Sequence, residues 1–366
     1  MNIFVGSYTR PSPNVPGAKA KGILRLRIDA EHRQWQIIGN PIPLADPTYL
    51  AWLPKRRLLL SVADGRDKPQ RLVALKISAN YSDPIEVGNA PTHGQASCHI
   101  ALLPEHKGAA VASYLNACLD TYRIQDDGSL AHTACYPYSG SSIHQRQQEP
   151  HAHQACVSPD GRHLYVCDLG ADCIWKHPID AQGLAVAPAS EKIVVPTGEG
   201  PRHMLFDAAA KRAYSIAELT GRLLVFDWLP QRDSTLQFAG AVDGLPSDYK
   251  GIPSGAAIVL HPSGKTLLAS QRQHNSIAFF VLPQNGSTVL PKQVCNLPCG
   301  GLEPRDCMVD RTGRWLLVAN QNSDTVTVFE LNPTTGLPLT ENYFSIDTPT
   351  PVCLVEETFD PTQHKF

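Results

Sequence analysis

The 366-residue sequence predicts an all-β fold: a seven-bladed β-propeller of four-stranded blades that occupies the whole chain, residues 1–366. Three observations support this prediction. A motif returns about every 50 residues, hairpin turns interrupt several of its copies, and the two termini carry incomplete copies that complement each other. Helical periodicity is weak throughout. Two stacked sandwiches would explain neither the regular period nor the complementary termini.

Each copy of the motif contains an apolar run, a turn, a second apolar run that ends in a small and a polar residue, and a third run. The turns SPDGR, HPSGK and DRTGR have the composition of hairpins. The third runs, such as TVTVFELN, alternate and are rich in β-branched and aromatic residues, as expected of strands. The six complete copies begin at Tyr49, His99, Gln154, His203, Ala256 and Asp306.

The two chain ends hold the seventh blade. The segment TPTPVCLVEE around Val352 has the pattern of a first strand with nothing after it. The segment IFVGSYT and the runs that begin at Gly22 and Trp35 have the pattern of strands two to four. Pairing the N- and C-terminal segments in one shared blade completes the ring and removes the exposed sheet edges of an open array.

The composition limits the classes of partner. A net charge of −2 gives no electrostatic reason to expect nucleic acid or a membrane surface. No apolar run is long enough to span a bilayer, and MNIFVGSYTR lacks the features of a signal peptide, so we expect a cytoplasmic protein. The ten cysteines show no zinc spacing, which predicts reduced, buried thiols and no metal. No cofactor motif occurs, and the oligomeric state is not indicated.

Two ring positions carry side chains that change from blade to blade, although the core between them stays apolar. Such variation on a constant scaffold is typical of a functional site. We expect both rings to face one mouth of the central channel. At the first-strand ring the copies carry Thr48, Cys98, His153, Arg202, Ala256 and Arg305. At the end of the second strand they carry Ser7, Asp64, Ser113, Asp168, Glu218, Gln271 and Asn320.

The middle blades contribute the most unusual side chains near these rings. Arginine binds carboxylate or phosphate groups in a bidentate manner and can stabilise an oxyanion. Histidine and glutamate can move a proton near neutral pH. The cluster therefore predicts an acid/base site for a small anionic substrate. Its members are Arg146, Gln147, His151, His153, Arg202, His203, Glu218 and Arg272.

Several of these residues also have structural interpretations. His151 and His153 could form a metal pair, but no third ligand is evident, and His151 could equally bond between blades. Arg202 could pair with Glu218 and tie a blade together. Arg305 could be functional or belong to a salt bridge. The sequence has no Gly-x-Ser-x-Gly elbow, P-loop or dinucleotide fingerprint, so it does not support a serine hydrolase, a kinase or a Rossmann enzyme.

Several strings resemble the seven-bladed lactonase family, which includes propeller-type 6-phosphogluconolactonase and the fungal carboxymuconate cyclase. They are RQQEPHAHQACVSPDGRHLYVCDLGAD, GPRHMLFD with AEL, HPSGKTLLASQR, and EPRDCMVDRTGRWLLVANQNSDTVTVF. The terminal strings FVGSYT and TPTPVCLV also match, so the resemblance covers nearly the whole chain. The sequence departs from the residues that are usual in the family at Asp64 and Ser113.

The resemblance implies a metal-free site with four catalytic residues: His153 (or His151), Arg202, Glu218 and Arg272. Together with the ring positions it predicts a lactonase that acts on a small anionic sugar-acid lactone, 6-phosphoglucono-1,5-lactone first among them. A lactonising cyclase that acts on a muconate-type diacid and a non-catalytic propeller that binds a protein are the alternatives. The predicted substrate-binding residues are His151, His203, Arg146, Gln271, Arg305 and Asn320.

Overall fold

The computed structural model describes residues 1–64, 69–78, 83–183, 186–207, 209, 211–233, 235–283 and 289–358. Residues 359–366 of the expected domain lie outside the described residues. Within the described part, the strands form seven four-stranded antiparallel sheets arranged as blades in a ring, which confirms the predicted fold. Two short 3-10 helices, Pro54–Arg56 and Pro104–His106, follow first strands. No helix among these residues is long and apolar enough to cross a membrane.

The strands follow one another in the order that the repeat predicts. In chain order they are β1 (Asn2–Ser7), β2 (Leu24–Asp29), β3 (Gln34–Ile37), β4 (Leu50–Leu53), β5 (Leu58–Ala63), β6 (Arg71–Lys76), β7 (Ile85–Pro91), β8 (Ser97–Leu102), β9 (Gly108–Ser113), β10 (Cys118–Ile124), β11 (Leu130–Pro137), β12 (Ala152–Val157), β13 (His163–Asp168), β14 (Cys173–Pro178), β15 (Glu191–Val194), β16 (Pro201–Asp207), β17 (Arg212–Ala217), β18 (Leu223–Trp228), β19 (Leu236–Val242), β20 (Gly255–Leu260), β21 (Thr266–Gln271), β22 (Ser276–Val281), β23 (Lys292–Pro298), β24 (Pro304–Val309), β25 (Trp315–Asn320), β26 (Thr325–Leu331), β27 (Pro338–Asp347) and β28 (Pro351–Glu356).

The first blade is the shared one. Its strand order is β28-β1-β2-β3, and blades 2 to 7 take β4 to β27 in consecutive groups of four. The last strand pairs antiparallel with the first, with Ile3 opposite Glu356 and Gly6 opposite Cys353. The two termini therefore close the ring as the sequence predicts, and the innermost strand of blade 1 comes from the C-terminus.

The core is divided into seven apolar clusters, and each lies between two neighbouring blades. The cluster between blades 1 and 7 includes Ile3, Leu26, Leu317 and Val328, all fully or nearly fully buried. Burying one such side chain stabilises the fold by about 1.5–3 kcal/mol. Each blade therefore packs on both of its neighbours through apolar side chains. This packing on both faces fixes the position of the strands that line the channel.

A β-bulge occurs at the first-strand ring position in six blades. There the register between the first two strands shifts, so that one first-strand residue is left without a partner. A bulge redirects the side chain of its extra residue. The extra residues are Val352, Cys98, His153, Arg202 and Arg305, and in blade 6 the shift falls at Ala256–Ala257.

Candidate functional site

The central channel holds a cavity of about 520 Å³, within the range of about 300–1,000 Å³ typical of small-molecule sites. All seven blades contribute to its wall. Of the ten residues predicted to be catalytic or substrate-binding, seven line it: Arg146, His153, Arg202, His203, Glu218, Arg272 and Arg305. Five bulge residues line the cavity, namely Val352, Cys98, His153, Arg202 and Arg305, and so does Thr48 of blade 2, whose first two strands pair without a register shift.

Three arginines converge on Glu218. Its Oε1 accepts from Arg146 Nη2 at 2.5 Å and lies 3.0 Å from Arg272 Nη2, and its Oε2 lies 3.0 Å from Arg202 Nε. The arginines come from three places: the connection before β12, the bulge in β16, and the residue after β21. Gly255 permits this approach of blades 5 and 6, because a Cβ there would lie 2.5 Å from the carbonyl oxygen of Ala217.

The electrostatics of this group favour full ionisation. Burial alone would raise the pKa of Glu218, but Arg272, Arg146 and Arg202 together lower it far below its ordinary value. Burial and the nearby Arg272 lower the pKa of Arg202 to about 9, so its guanidinium stays protonated at neutral pH. Arg202 also donates from Nη1 to the carbonyl oxygen of Ala256 at 2.6 Å, which fixes its orientation.

Three buried histidines lie together beside the arginines. The ring centroids of His153 and His203 are 5.1 Å apart, those of His99 and His203 are 5.6 Å apart, and Tyr49 packs on His99 at 4.2 Å. Burial, reinforced by Arg202, lowers the pKa of each histidine below its ordinary value, to about 3 for His99. The rings are therefore neutral. Nδ1 of His153 has no hydrogen-bond partner among the described residues and can accept a proton.

Arg305 differs from the other cavity arginines. Its Nη1 donates to Oε1 of Gln321 at 3.2 Å, and its guanidinium lies 5.4 Å from the centre of the Tyr8 ring. Among the described residues no carboxylate oxygen lies within 4.0 Å of it. Its charge is therefore open to an anionic ligand. Asp46 fixes the segment that follows Tyr8, because its Oδ1 accepts from the backbone N–H of Thr9 at 2.7 Å.

The cavity also contains an acidic group with an unusual proton affinity. Asp306 follows Arg305 in β24, and burial raises the pKa of its carboxyl to about 6. Its Oδ2 accepts from the backbone N–H of Leu354 at 2.7 Å, which ties blade 7 to blade 1. Asp306 therefore changes its charge close to neutral pH.

Three predicted site residues lie outside the cavity wall. His151 stacks on Tyr114 with ring centroids 4.3 Å apart, and Tyr114 in turn accepts from Arg146 at 3.0 Å. Gln271 and Asn320 are fully buried in their blades. Their amides donate to the carbonyl oxygen of Gly221 at 2.7 Å and to Thr327 Oγ1 at 3.1 Å, respectively. These hydrogen bonds direct both amides into the protein and away from the cavity wall.

Sequence reasoning did not select several residues that line the cavity. Two of them, Tyr49 and Asp306, directly follow a first-strand ring position. They occupy in their blades the position that His203 occupies in blade 5. The same rule finds His99, so the position after the ring would have provided the missing signal. Others come from connections between strands, where no repeat pattern applies. The residues not selected include Tyr8, Asn14, Tyr49, Tyr114, Ser254, Gln273, Glu303, Asp306 and Gln321.

The cavity wall includes one thiol among the described residues, that of Cys98. Burial raises its pKa to about 12, and its Sγ lies 3.2 Å from the carbonyl oxygen of His153. The thiol is therefore protonated at neutral pH, which does not favour a cysteine nucleophile. All ten cysteines of the chain are free, and six of them are buried.

Comparison with known proteins gives a consistent result. The family model described as "Lactonase, 7-bladed beta-propeller" matches residues 2–356. A 6-phosphogluconolactonase of Bacillus subtilis is 26% identical over 96% of this chain and 97% of its own length. A 6-phosphogluconolactonase of Formosa agariphila is 27% identical over 91% and 93%, respectively. The structure of a periplasmic gluconolactonase from Pseudomonas aeruginosa superposes with a TM-score of 0.86, at 26% identity, over 97% of this chain and 98% of that one.

Proposed function

The chain belongs to the seven-bladed β-propeller lactonase family, and from that premise we propose that it hydrolyses 6-phosphoglucono-1,5-lactone to 6-phosphogluconate. The observation that carries the proposal is that the neutral His153 lies beside Arg202 and Arg272. Glu218 holds these two arginines in place through ion pairs. Such a site combines a proton acceptor with fixed positive charge, and hydrolysis of an ester carbonyl requires both.

Arg305 provides the contact for the anionic end of the substrate. Its guanidinium has a neutral amide and an aromatic ring as neighbours, so a phosphate can bind it without displacing a carboxylate. A guanidinium binds phosphate with two parallel hydrogen bonds and remains charged at every physiological pH. The lactone ring would then extend towards His153 and Arg202, which line the same cavity.

The reaction proceeds by direct attack of water. His153 accepts a proton from a water molecule as the water oxygen forms a bond to the lactone carbonyl carbon. The carbonyl electrons move to its oxygen, and Arg202 and Arg272 stabilise this oxyanion. When the oxyanion collapses, the bond from the carbonyl carbon to the ring oxygen breaks, and the ring oxygen takes the proton from His153. The new carboxylic acid loses its proton to solvent.

Glu218 acts by positioning. Both of its oxygens lie against guanidinium groups, so neither is free to take a proton from a water molecule, whereas Nδ1 of His153 has no partner among the described residues. Its charge holds three arginines in one place and partly neutralises them. An incoming anion therefore meets preorganised donors, which is the arrangement that stabilises developing charge most effectively.

We propose that this reaction needs no metal ion. Among the described residues, the two groups of His, Cys, Asp and Glu that have metal-ligand spacing both lie in blade 3, and neither contributes to the cavity wall. Hydrolysis in the presence of a chelator tests this part of the proposal, since a metal-dependent site would lose its activity.

A substrate comparison tests the proposed function. Chelator-treated protein receives 6-phosphoglucono-1,5-lactone, glucono-1,5-lactone and a muconolactone, and acid release is followed with spontaneous hydrolysis subtracted. We expect the highest kcat/KM with the phosphorylated lactone. No turnover of any lactone would overturn the proposal. Turnover of the muconolactone alone would shift the assignment to the cyclase reaction, and an inert cavity would favour a propeller that binds a protein.

A further inference from the structure

Five metal-ligating side chains meet in blade 3, outside the cavity. His93 lies in the connection between β7 and β8, Cys118 and Asp120 in β10, and His132 and Cys135 in β11. They form two groups, His93–Asp120–His132 and Cys118–Asp120–Cys135, whose ligand atoms lie within 4.8 Å of one another. Asp120 belongs to both groups, and the proposed lactone chemistry uses none of the five.

The distances in the histidine group fit a single metal ion. His93 Nδ1 and His132 Nε2 lie 3.0 and 2.8 Å from Asp120 Oδ1. Zinc binds histidine nitrogen and carboxylate oxygen at about 2.0–2.1 Å, so two ligand atoms at angles of about 90–109° around one ion lie about 2.9–3.4 Å apart. Both nitrogen–oxygen separations are therefore close to the spacing that a bound ion requires, and the three ligand atoms all lie within 4.8 Å of one another.

The charge balance around Asp120 also favours a cation. Asp120 is fully buried, and among the described residues no lysine or arginine nitrogen lies within 4.0 Å of its carboxylate. Its ion-pair partners are the two histidines, which are positively charged only when protonated. Buried carboxylates are usually paired with a charged group or bound to a metal. A divalent ion between the two rings would supply the missing positive charge.

The backbone places the carboxylate for this role. Asp120 Oδ2 accepts from the backbone N–H groups of His93 and Gly94, at 3.0 and 3.1 Å. These bonds orient the carboxylate and leave Oδ1 directed at both rings. Position 94 must be glycine for the connection to come this close, because a Cβ there would lie 2.0 Å from Ser113 Oγ and 2.8 Å from Cys118 Sγ. Such hydrogen bonds to a ligating carboxylate are typical of the outer shell of metal sites.

We propose that His93 Nδ1, Asp120 Oδ1 and His132 Nε2 bind one divalent transition-metal ion of the Zn²⁺ type. Imidazole and carboxylate ligands suit this class of ion. The side chain of His93 is 53% exposed, so the fourth coordination position is open to water. The ion would fasten the connection between β7 and β8 to the outer strands of blade 3. That connection continues into Ala96, Ser97 and Cys98, which line the cavity.

Metal titration of the full-length, chelator-stripped protein tests this site. We expect one equivalent of Zn²⁺ by calorimetry, and Co²⁺ as a probe should give weak visible bands of nitrogen and oxygen ligands, without the intense near-ultraviolet band of a thiolate. His93→Ala and His132→Ala should each weaken Zn²⁺ binding by at least about tenfold. The matched control is His32→Ala, because His32 Nδ1 contacts Asp29 Oδ2 at 2.9 Å on the surface as an isolated histidine–carboxylate pair. This variant should bind as the wild type does.

Two results would overturn the assignment. Absence of stoichiometric binding, or unchanged affinity in both the His93→Ala and His132→Ala proteins, would show that the cluster is a hydrogen-bonded network. The protein could also give an intense thiolate band that disappears in the double variant Cys118→Ser/Cys135→Ser. That result would show that the ion binds Cys118, Asp120 and Cys135 instead. His93 lies in an exposed connection, so its variant keeps the test valid should His132→Ala fail to fold. Because the readout is metal binding, the result is independent of lactone turnover.

Discussion

The two rings around the channel differ in what they do. The first-strand ring carries bulges, and its side chains Cys98, His153, Arg202 and Arg305 line the cavity. In the second-strand ring Asp64 and Glu218 line the cavity, and the other polar side chains are buried in the protein. Ser113, Asp168, Gln271 and Asn320 are all fully buried.

The difference shows how one repeat serves two purposes. Asp168 accepts from the backbone N–H groups of His151 and Ala171, at 2.7 and 3.0 Å, and from the indole of Trp175 at 3.0 Å, so it organises the connections around its blade. Glu218 occupies the equivalent position in blade 5, yet it faces the cavity because three arginines approach it there. The same ring position thus contributes to the cavity wall in blade 5, and in blade 2 through Asp64, while it is fully buried in the other blades.

The largest expected effect comes from the first-strand ring. Arg202→Ala should lower kcat for 6-phosphoglucono-1,5-lactone by about 10²–10³-fold, because it removes a fixed charge from the oxyanion. The matched control is Arg212→Ala, which breaks an ion pair with Asp227 at 3.0 Å in the same blade but outside the cavity. Equal activities of these two variants in a steady-state assay would contradict the proposed role of Arg202.

A substitution in the buried part of the second-strand ring should lower the stability of the protein and leave its activity nearly unchanged. Asp168→Asn replaces Oδ2, the acceptor for the indole N–H of Trp175, with an NH2 donor, and should lower the free energy of unfolding by about 1–3 kcal/mol. We expect kcat/KM of the folded protein to stay near that of the wild type, because Asp168 lies outside the cavity wall. Urea unfolding together with the lactone assay checks both statements. Lost activity at unchanged stability would mean that this ring takes part in the chemistry.

Arg305→Gln should separate binding from chemistry. A charged hydrogen bond to a phosphate contributes about 1.5–3 kcal/mol, so KM for the phosphorylated lactone should rise about tenfold or more while kcat changes little. KM for glucono-1,5-lactone, which lacks the phosphate, should stay nearly constant. A parallel rise of KM for both substrates would show that Arg305 does not bind the phosphate.

The smallest expected effect is that of pH. Because burial and Arg202 lower the pKa of His153 well below its ordinary value, kcat/KM for glucono-1,5-lactone should vary by less than about threefold as the pH passes the ordinary histidine pKa of about 6.5. The unphosphorylated substrate avoids the second ionisation of the phosphate, which has a pKa of about 6. Activity that falls below pH 6, and no longer does so in Asp306→Asn, would transfer the proton acceptor to Asp306, whose pKa burial raises to about 6.

The sequence predicted the blades, the closure and most of the first ring, because strand periodicity and turn residues determine these features locally. It placed Gln271 in the site together with Glu218, since both occupy the second-strand ring, but the direction of each side chain depends on neighbours in other blades, and only Glu218 lines the cavity. Asp306 was not selected because its neighbour Arg305 occupied the ring position. The group of His93, Asp120 and His132 was also beyond sequence reasoning, because its members lie 27 and 12 residues apart and show no recognised metal spacing.

The most direct test of the account compares one residue from each ring in the same assay. His153→Gln should lower kcat/KM for 6-phosphoglucono-1,5-lactone by at least about 100-fold with an unchanged thermal unfolding midpoint. Gln271→Ala should keep kcat/KM and unfold at a lower temperature, because its amide holds the carbonyl oxygen of Gly221 at 2.7 Å. Wild-type turnover by His153→Gln, or a comparable loss of turnover in a fully folded Gln271→Ala protein, would contradict the division of roles between the rings.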